Sequence, residues 1–347
     1  MQVTSEQLTV AGQNWLEYTI KNDQGMEVSC LNFGGIITRI LVPDQHQQFE
    51  NVVLGYKNYE DYLSNPNYFG ALIGRVAGRI KGSSFELDGK TYNLPANNGE
   101  NHLHGGEPGF HKVIWDTTPF ENSNEAGIVL THTSPDGENG YPGTVEMKVT
   151  YSLNNENEFT ITYEGSADQK TVLTATNHSY FNLSGNLKDD IKDHELTIDA
   201  SHFVELDEAL IPTGEIPAVD GTPFDFRNGR QIKDGINSNF EQNVVGGNGY
   251  DHYFLFDQNN EQDVIVKEKE SGRQLIVKTD QPGMVLYTST MLDDSLQLAE
   301  GPSKRYLGLC LETQASPASV HDDRFPSVIL EKDEKYFAKT TFVFGLI

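Results

Sequence analysis

The chain has 347 residues, 37% of them hydrophobic, and a formal net charge of −26 at pH 7. That length gives room for one large β domain or two average ones and for a sizeable core without covalent staples. The acidity argues against nucleic-acid partners, which need a basic face, and against an anionic membrane surface.

The N-terminus, Met1-Gln2-Val3-Thr4-Ser5-Glu6, has no basic cluster and no apolar stretch, so no secretory signal is expected. No run reaches the roughly 18 apolar residues of a membrane-spanning helix. Cys30 and Cys310 both sit among apolar residues, which points to free thiols in a reduced, cytoplasmic setting rather than a disulfide framework. Strand-like alternation begins at residues 15–20 and 35–42. Residues 58–63 read as one or two helical turns, and no 3.6-residue period lasts for 12 residues anywhere. Phe85 and Leu87, the turn Asp88-Gly89, then Tyr92 and Leu94 read as a hairpin. A longer one follows: Val145, Met147, Val149, Tyr151 and Leu153, the turn 154–157, then Phe159, Ile161 and Tyr163. Residues 194–204 read as one strand and 237–249 as the most linker-like stretch. Val264 and Val266 pair with Leu275 and Val277 across Ser271-Gly272, and further strands cover 283–289 and 335–346. There is no βαβ rhythm, so a parallel sheet is not expected. The pattern predicts an all-β fold: one large antiparallel β-sandwich over residues 1–347, with few short helices.

Three stretches look built for chemistry. They are Asn101-His102-Leu103-His104-Gly105-Gly106, Asn177-His178-Ser179-Tyr180-Phe181-Asn182, and Cys310-Leu311-Glu312-Thr313-Gln314. Histidine can give or take a proton near neutral pH. A carboxylate set in the apolar run 307–311 must find a partner or change its pKa. Asp251-His252 interrupts a strand in the same way, and Gly74-Arg75-Val76-Ala77-Gly78-Arg79-Ile80 carries two arginines among small residues. Each has a plain structural alternative, a strand-end hydrogen bond or a surface ion pair. Together they suggest acid–base catalysis.

In their order along the chain these pieces resemble the aldose 1-epimerase (galactose mutarotase) family. The pattern runs through residues 74–80, Leu103-His104-Gly105-Gly106, Gly109-Phe110-His111-Lys112-Val113-Ile114-Trp115 and Gly140-Tyr141-Pro142-Gly143. It continues through Asn177-His178-Ser179-Tyr180-Phe181-Asn182-Leu183, Leu210-Ile211-Pro212-Thr213-Gly214-Glu215 and Tyr250-Asp251-His252, and ends at Gln281-Pro282-Gly283 and Leu311-Glu312-Thr313-Gln314. The resemblance implies a sugar cleft across one sheet, with Glu312 as general base and His178 as general acid. It implies that Arg79, His104, Asp251 and Gln281 hold the sugar, and that the partner is a small neutral aldose such as galactose or glucose. No metal or other cofactor is implied, and relatives occur as monomers and homodimers. His102 matches no fixed position, and Arg75 matches the motif without a sugar contact. Gly78, where many relatives carry Asn, and Ala315-Ser316-Pro317-Ala318 depart from the family pattern at places that bear on which sugar fits. A hexose-6-phosphate 1-epimerase on the same fold would want further basic residues around the cleft, and the motifs bring only Arg79 with Arg75 near it.

Overall fold

The computed structural model describes residues 1–257 and 262–347. Alternation in the sequence becomes register in the structure. Val145–Asn154 and Glu158–Ala167 pair antiparallel with Tyr151 opposite Ile161 and Leu153 opposite Phe159. In the short hairpin Phe85 faces Tyr92, and Asp88 and Gly89 take φ of 51° and 74°, as a two-residue turn with both centres left-handed requires. Val264 stands opposite Val277, Val266 opposite Leu275, and Lys335–Leu346 is one strand. Asn58 caps the short 3-10 helix Tyr59–Leu63 by accepting from the Glu60 N–H.

Three large antiparallel sheets result. A nine-stranded sheet carries Val145–Asn154, Glu158–Ala167, Lys335–Leu346 and Arg273–Thr279 at its centre. A five-stranded sheet is formed by the first 51 residues. A second five-stranded sheet runs in the order Tyr180–Phe181, Leu309–Thr313, Gly283–Tyr287, Asp251–Leu255 and His202–Phe203. One buried apolar cluster draws on all three, for example Ile20 and Ile40, Ile128 and Ile161, and Leu286 and Leu311. This is the expected antiparallel β-sandwich. Among the described residues no helix is long and apolar enough to cross a membrane.

Two expectations change. Residues 194–204 are two strands, not one. Glu195–Ile198 belongs to the nine-stranded sheet and His202–Phe203 to the second five-stranded sheet. Between them the chain turns the corner from one layer to the other, a switch that hydrophobic alternation does not register. Residues 237–249 are not a linker either. They contain the helix Glu241–Val245, and Gln242 clamps Leu206 by accepting from its N–H at 2.9 Å and donating to its carbonyl at 3.0 Å.

Candidate active site

The Leu309–Thr313 strand is buried on both faces. Leu309 and Leu311 enter the main core, so a period of two turns Cys310 and Glu312 to the opposite face. Tyr180 pairs with Cys310. His178 lies two residues before Tyr180 and Glu312 two after Cys310, and Nε2 of His178 is 3.5 Å from Oε1 of Glu312. On the other side Val285 stands opposite Glu312, Tyr253 opposite Val285, and Asp251 opposite Tyr287. These side chains floor a cleft of about 290 Å³.

The walls come from loops. The short pairing of Leu103 with Arg79 brings Arg79 and His104 together. His104 has φ 53° and Gly105 φ 81°, and a Cβ on Gly105 would lie 1.9 Å from the Gly74 carbonyl oxygen. Only glycine lets the chain pass there and deliver His104 into the cleft. The Gly78 N–H donates to Nδ1 of His104 at 3.1 Å. Neutral His104 therefore carries its hydrogen on Nε2 and can donate to a ligand hydroxyl. Nη1 of Arg79 lies 3.5 Å from Asp251, and its Nε donates to Asn98 at 3.1 Å. Tyr68 stands edge-on to His104 at 4.7 Å between ring centres.

Burial sets the electrostatics. It pushes the Glu312 carboxyl well above the usual carboxylate range; the Asp251 charge adds to this and Arg79 opposes it. Burial pushes His178 down to about 4 and His104 well below its ordinary value. Asp251 is also raised by burial, against Arg79. A low-dielectric pocket penalises both charges of the Glu312–His178 pair, so in the empty cleft the pair's one proton favours the carboxyl.

Sequence reasoning placed Glu312, His178, His104, Arg79 and Asp251 in one site, and the structure brings these five together. Gln281 is not with them. It precedes the Gly283–Tyr287 strand, its Nε2 donates to Asp280 at 2.8 Å, and it does not line the cleft. The residue of that strand facing Glu312 is Val285, four positions on. Gln281→Ala is accordingly expected to leave kcat/KM in a polarimetric assay within about twofold of wild type. His102 is buried with Nδ1 2.7 Å from the Pro95 carbonyl, and Arg75 is buried on Ser134, Pro135 and Pro142, so both are structural. Tyr68, Asn98 and Tyr287 line the cleft unforeseen. The alternation at 283–289 carried a signal for Tyr287; the loop residues had none.

His104, His178 and Glu312 offer ligand atoms within 4.8 Å of one another, a spacing a cation could bridge. The Gly78 N–H already occupies Nδ1 of His104, so metal binding through Nε2 would force the other tautomer and break that bond. The donor set suits a hydroxyl better than a metal ion.

A buried carboxylate facing an imidazole in one cleft of an antiparallel sandwich has the parts of an acid–base enzyme. Known proteins agree. The family model described as aldose 1-epimerase matches residues 17–343. Galactose mutarotase of Sus scrofa is 42% identical over 333 residues, covering 95% of this chain and 94% of that one. Maltose epimerase of Levilactobacillus brevis is 32% identical over 327 residues, covering 94% of each. The crystal structure of galactose 1-epimerase from Lactobacillus acidophilus NCFM superposes with a TM-score of 0.89 at 31% identity, over 100% of this chain and 99% of that one. The chain belongs to the aldose 1-epimerase family.

Proposed function

We propose that the chain acts in the cytoplasm, as one sandwich unit over residues 1–347, to interconvert the α and β anomers of neutral aldohexoses such as galactose and glucose. The observation that carries this reading is the 3.5 Å approach of His178 Nε2 to Glu312 Oε1 on the floor of the cleft. Mutarotation removes the proton of the C1 hydroxyl and adds one to the ring oxygen. The ring opens to the aldehyde, C1 turns its other face, and the transfers reverse. Glu312 takes the hydroxyl proton and His178 protonates the ring oxygen. Arg79, Asp251 and the Nε2–H of His104 hold the remaining hydroxyls. The reactive form is carboxylate with imidazolium, which is the neutral pair with its proton moved from Glu312 to His178. Sugar hydroxyls bonded to both partners supply the solvation that burial withholds. The test is polarimetry on freshly dissolved α-D-galactose and α-D-glucose. A rate no faster than the buffer's own overturns the proposal.

The pH profile follows from the pair. Activity needs one proton on the two groups. It is lost on the acid side as His178 takes a second proton near its value of about 4, and on the alkaline side as the raised Glu312 group gives up the only one. Asp251 raises Glu312, so Asp251→Asn should move the alkaline limb of kcat/KM to lower pH; Arg79 lowers it, so Arg79→Met should move that limb higher. If the acid limb moves instead, His178 acts as a neutral N–H donor and the shared-proton scheme is wrong.

Arg75 is buried away from the cleft and Arg79 is paired with Asp251, so the lining offers no uncommitted guanidinium for a phosphate. This supports a neutral sugar over a hexose 6-phosphate.

A further inference from the structure

Asp251 and Tyr253 line the cleft, so a period of two turns His252 to the other face of the same strand, where it is fully buried. There it stands edge-on to Phe224 at 4.8 Å and to Phe203 at 5.9 Å between ring centres. An imidazole is a costly choice among phenylalanines unless both nitrogens find partners. Nδ1 accepts from the Asp251 N–H at 3.1 Å, so neutral His252 carries its hydrogen on Nε2, which donates to Oε1 of Gln242 at 3.0 Å. Burial holds the ring down at about 3, which keeps it in that neutral form.

Oε1 of Gln242 also accepts from the Leu206 N–H, and its Nε2 donates to the Leu206 carbonyl. A chain of hydrogen bonds therefore runs from the backbone of Asp251 through His252 and Gln242 to Leu206, with each side-chain nitrogen and oxygen of the two residues paired. Leu206 begins one wall of the cleft. Leu206, Leu210 and Pro212 all line it, and a bridge between Leu206 and Pro212 closes the turn between them. Backbone bonding from this segment to the Asp251–Leu255 strand reaches Val204, whose N–H donates to the Tyr253 carbonyl at 2.9 Å; both backbone groups of Leu206 go to Gln242 instead. Gly246, just past the helix Glu241–Val245, gives the imidazole its room. A Cβ there would lie 3.1 Å from Cε1 of His252 and 3.0 Å from the Gly249 carbonyl oxygen. Moving the Asp251 backbone away from the sugar, or swinging the Leu206 wall outward, must break a bond of this chain.

We propose that His252 and Gln242 are positioning residues that tie the sugar-holding Asp251 to the wall at Leu206, Leu210 and Pro212, so that hydroxyl grip and wall act as one unit and set the affinity for the sugar. The inference rests on the function proposed above and deepens it. Asp251 and the wall meet parts of the sugar that do not react, so they hold ground state and transition state alike, and their loss falls on KM rather than on kcat. Polarimetry over a range of galactose and glucose concentrations, with thermal melts of each variant, tests this. His252→Leu removes both imidazole bonds, and Gln242→Met frees both backbone groups of Leu206. Each is expected to raise KM roughly tenfold, the worth of a buried hydrogen bond, with kcat within about twofold of wild type. The double variant should match the worse single variant, because the chain is already cut. Gly246→Ala keeps every hydrogen-bonding group and only presses on the ring; it should raise KM about threefold and decides the matter alone if the other variants do not fold. A lower melting temperature with KM unmoved makes the chain purely structural and overturns the proposal, as does a loss that falls mainly on kcat. A wild type without turnover overturns the epimerase reading itself, and this inference with it.

Discussion

Glu312→Gln is expected to lower kcat by about 10²–10⁴-fold, the usual worth of a positioned acid–base group, with a much smaller change in KM. The amide keeps the shape of the side chain and its place across from Val285. It cannot take the C1 proton. The same change should make the protein more stable at alkaline pH. Burial raises the Glu312 pKa in the fold, so the folded state resists ionisation and loses stability as pH rises above the ordinary carboxylate value of about 4.3. A neutral amide removes that penalty. Activity and stability therefore move in opposite directions, as expected where a strained charge is kept for chemistry. Polarimetry and thermal melts at neutral and alkaline pH check the two halves. A variant that keeps near wild-type turnover removes Glu312 from the role of base. One that loses activity and also melts earlier than wild type shows a structural role instead.

The parts of this molecule legible in its sequence are those governed by a strict local period. The hairpin at 145–163, the pairing of 264–266 with 275–277 and the terminal strand 335–346 stand as read, because period-two burial leaves one register open. The strand acid was legible for the same reason: in Leu309-Cys310-Leu311-Glu312 the leucines claim the core and leave Glu312 to the other face. The break at 199–201 was not legible. Both halves alternate well, and only the tertiary position of the two sheets decides that the chain must cross between them. The misplacement of Gln281 has a similar root. The resemblance of Gln281-Pro282-Gly283 to the family pattern implied a sugar contact, but the cleft is lined by whatever lies beside Glu312 in the sheet, and that position holds the apolar Val285. Tyr68 and Asn98 lie on loops whose approach to His104 and Arg79 has no sequence period at all.

His178→Asn should also lower kcat by about 10²–10⁴-fold, and its more telling use is in combination. The imidazole is held from several sides: the Cys310 Sγ lies 3.6 Å from Nδ1, the Tyr180 ring centre is 5.1 Å away and that of Tyr68 5.8 Å. Burial keeps the Cys310 thiol protonated, so it brings no charge to compete with the pair. Asparagine leaves this cage polar but cannot protonate the ring oxygen. If Glu312 and His178 pass one shared proton back and forth, either alone is of little use, since ring opening needs removal and delivery together. The double variant Glu312→Gln, His178→Asn is then expected to be about as slow as the slower single variant, not slower by the product of the two losses. Single-turnover polarimetry on α-D-galactose for wild type, both singles and the double measures this coupling. Multiplying losses would mean that the two groups act independently, and the short Nε2–Oε1 approach would lose its mechanistic meaning.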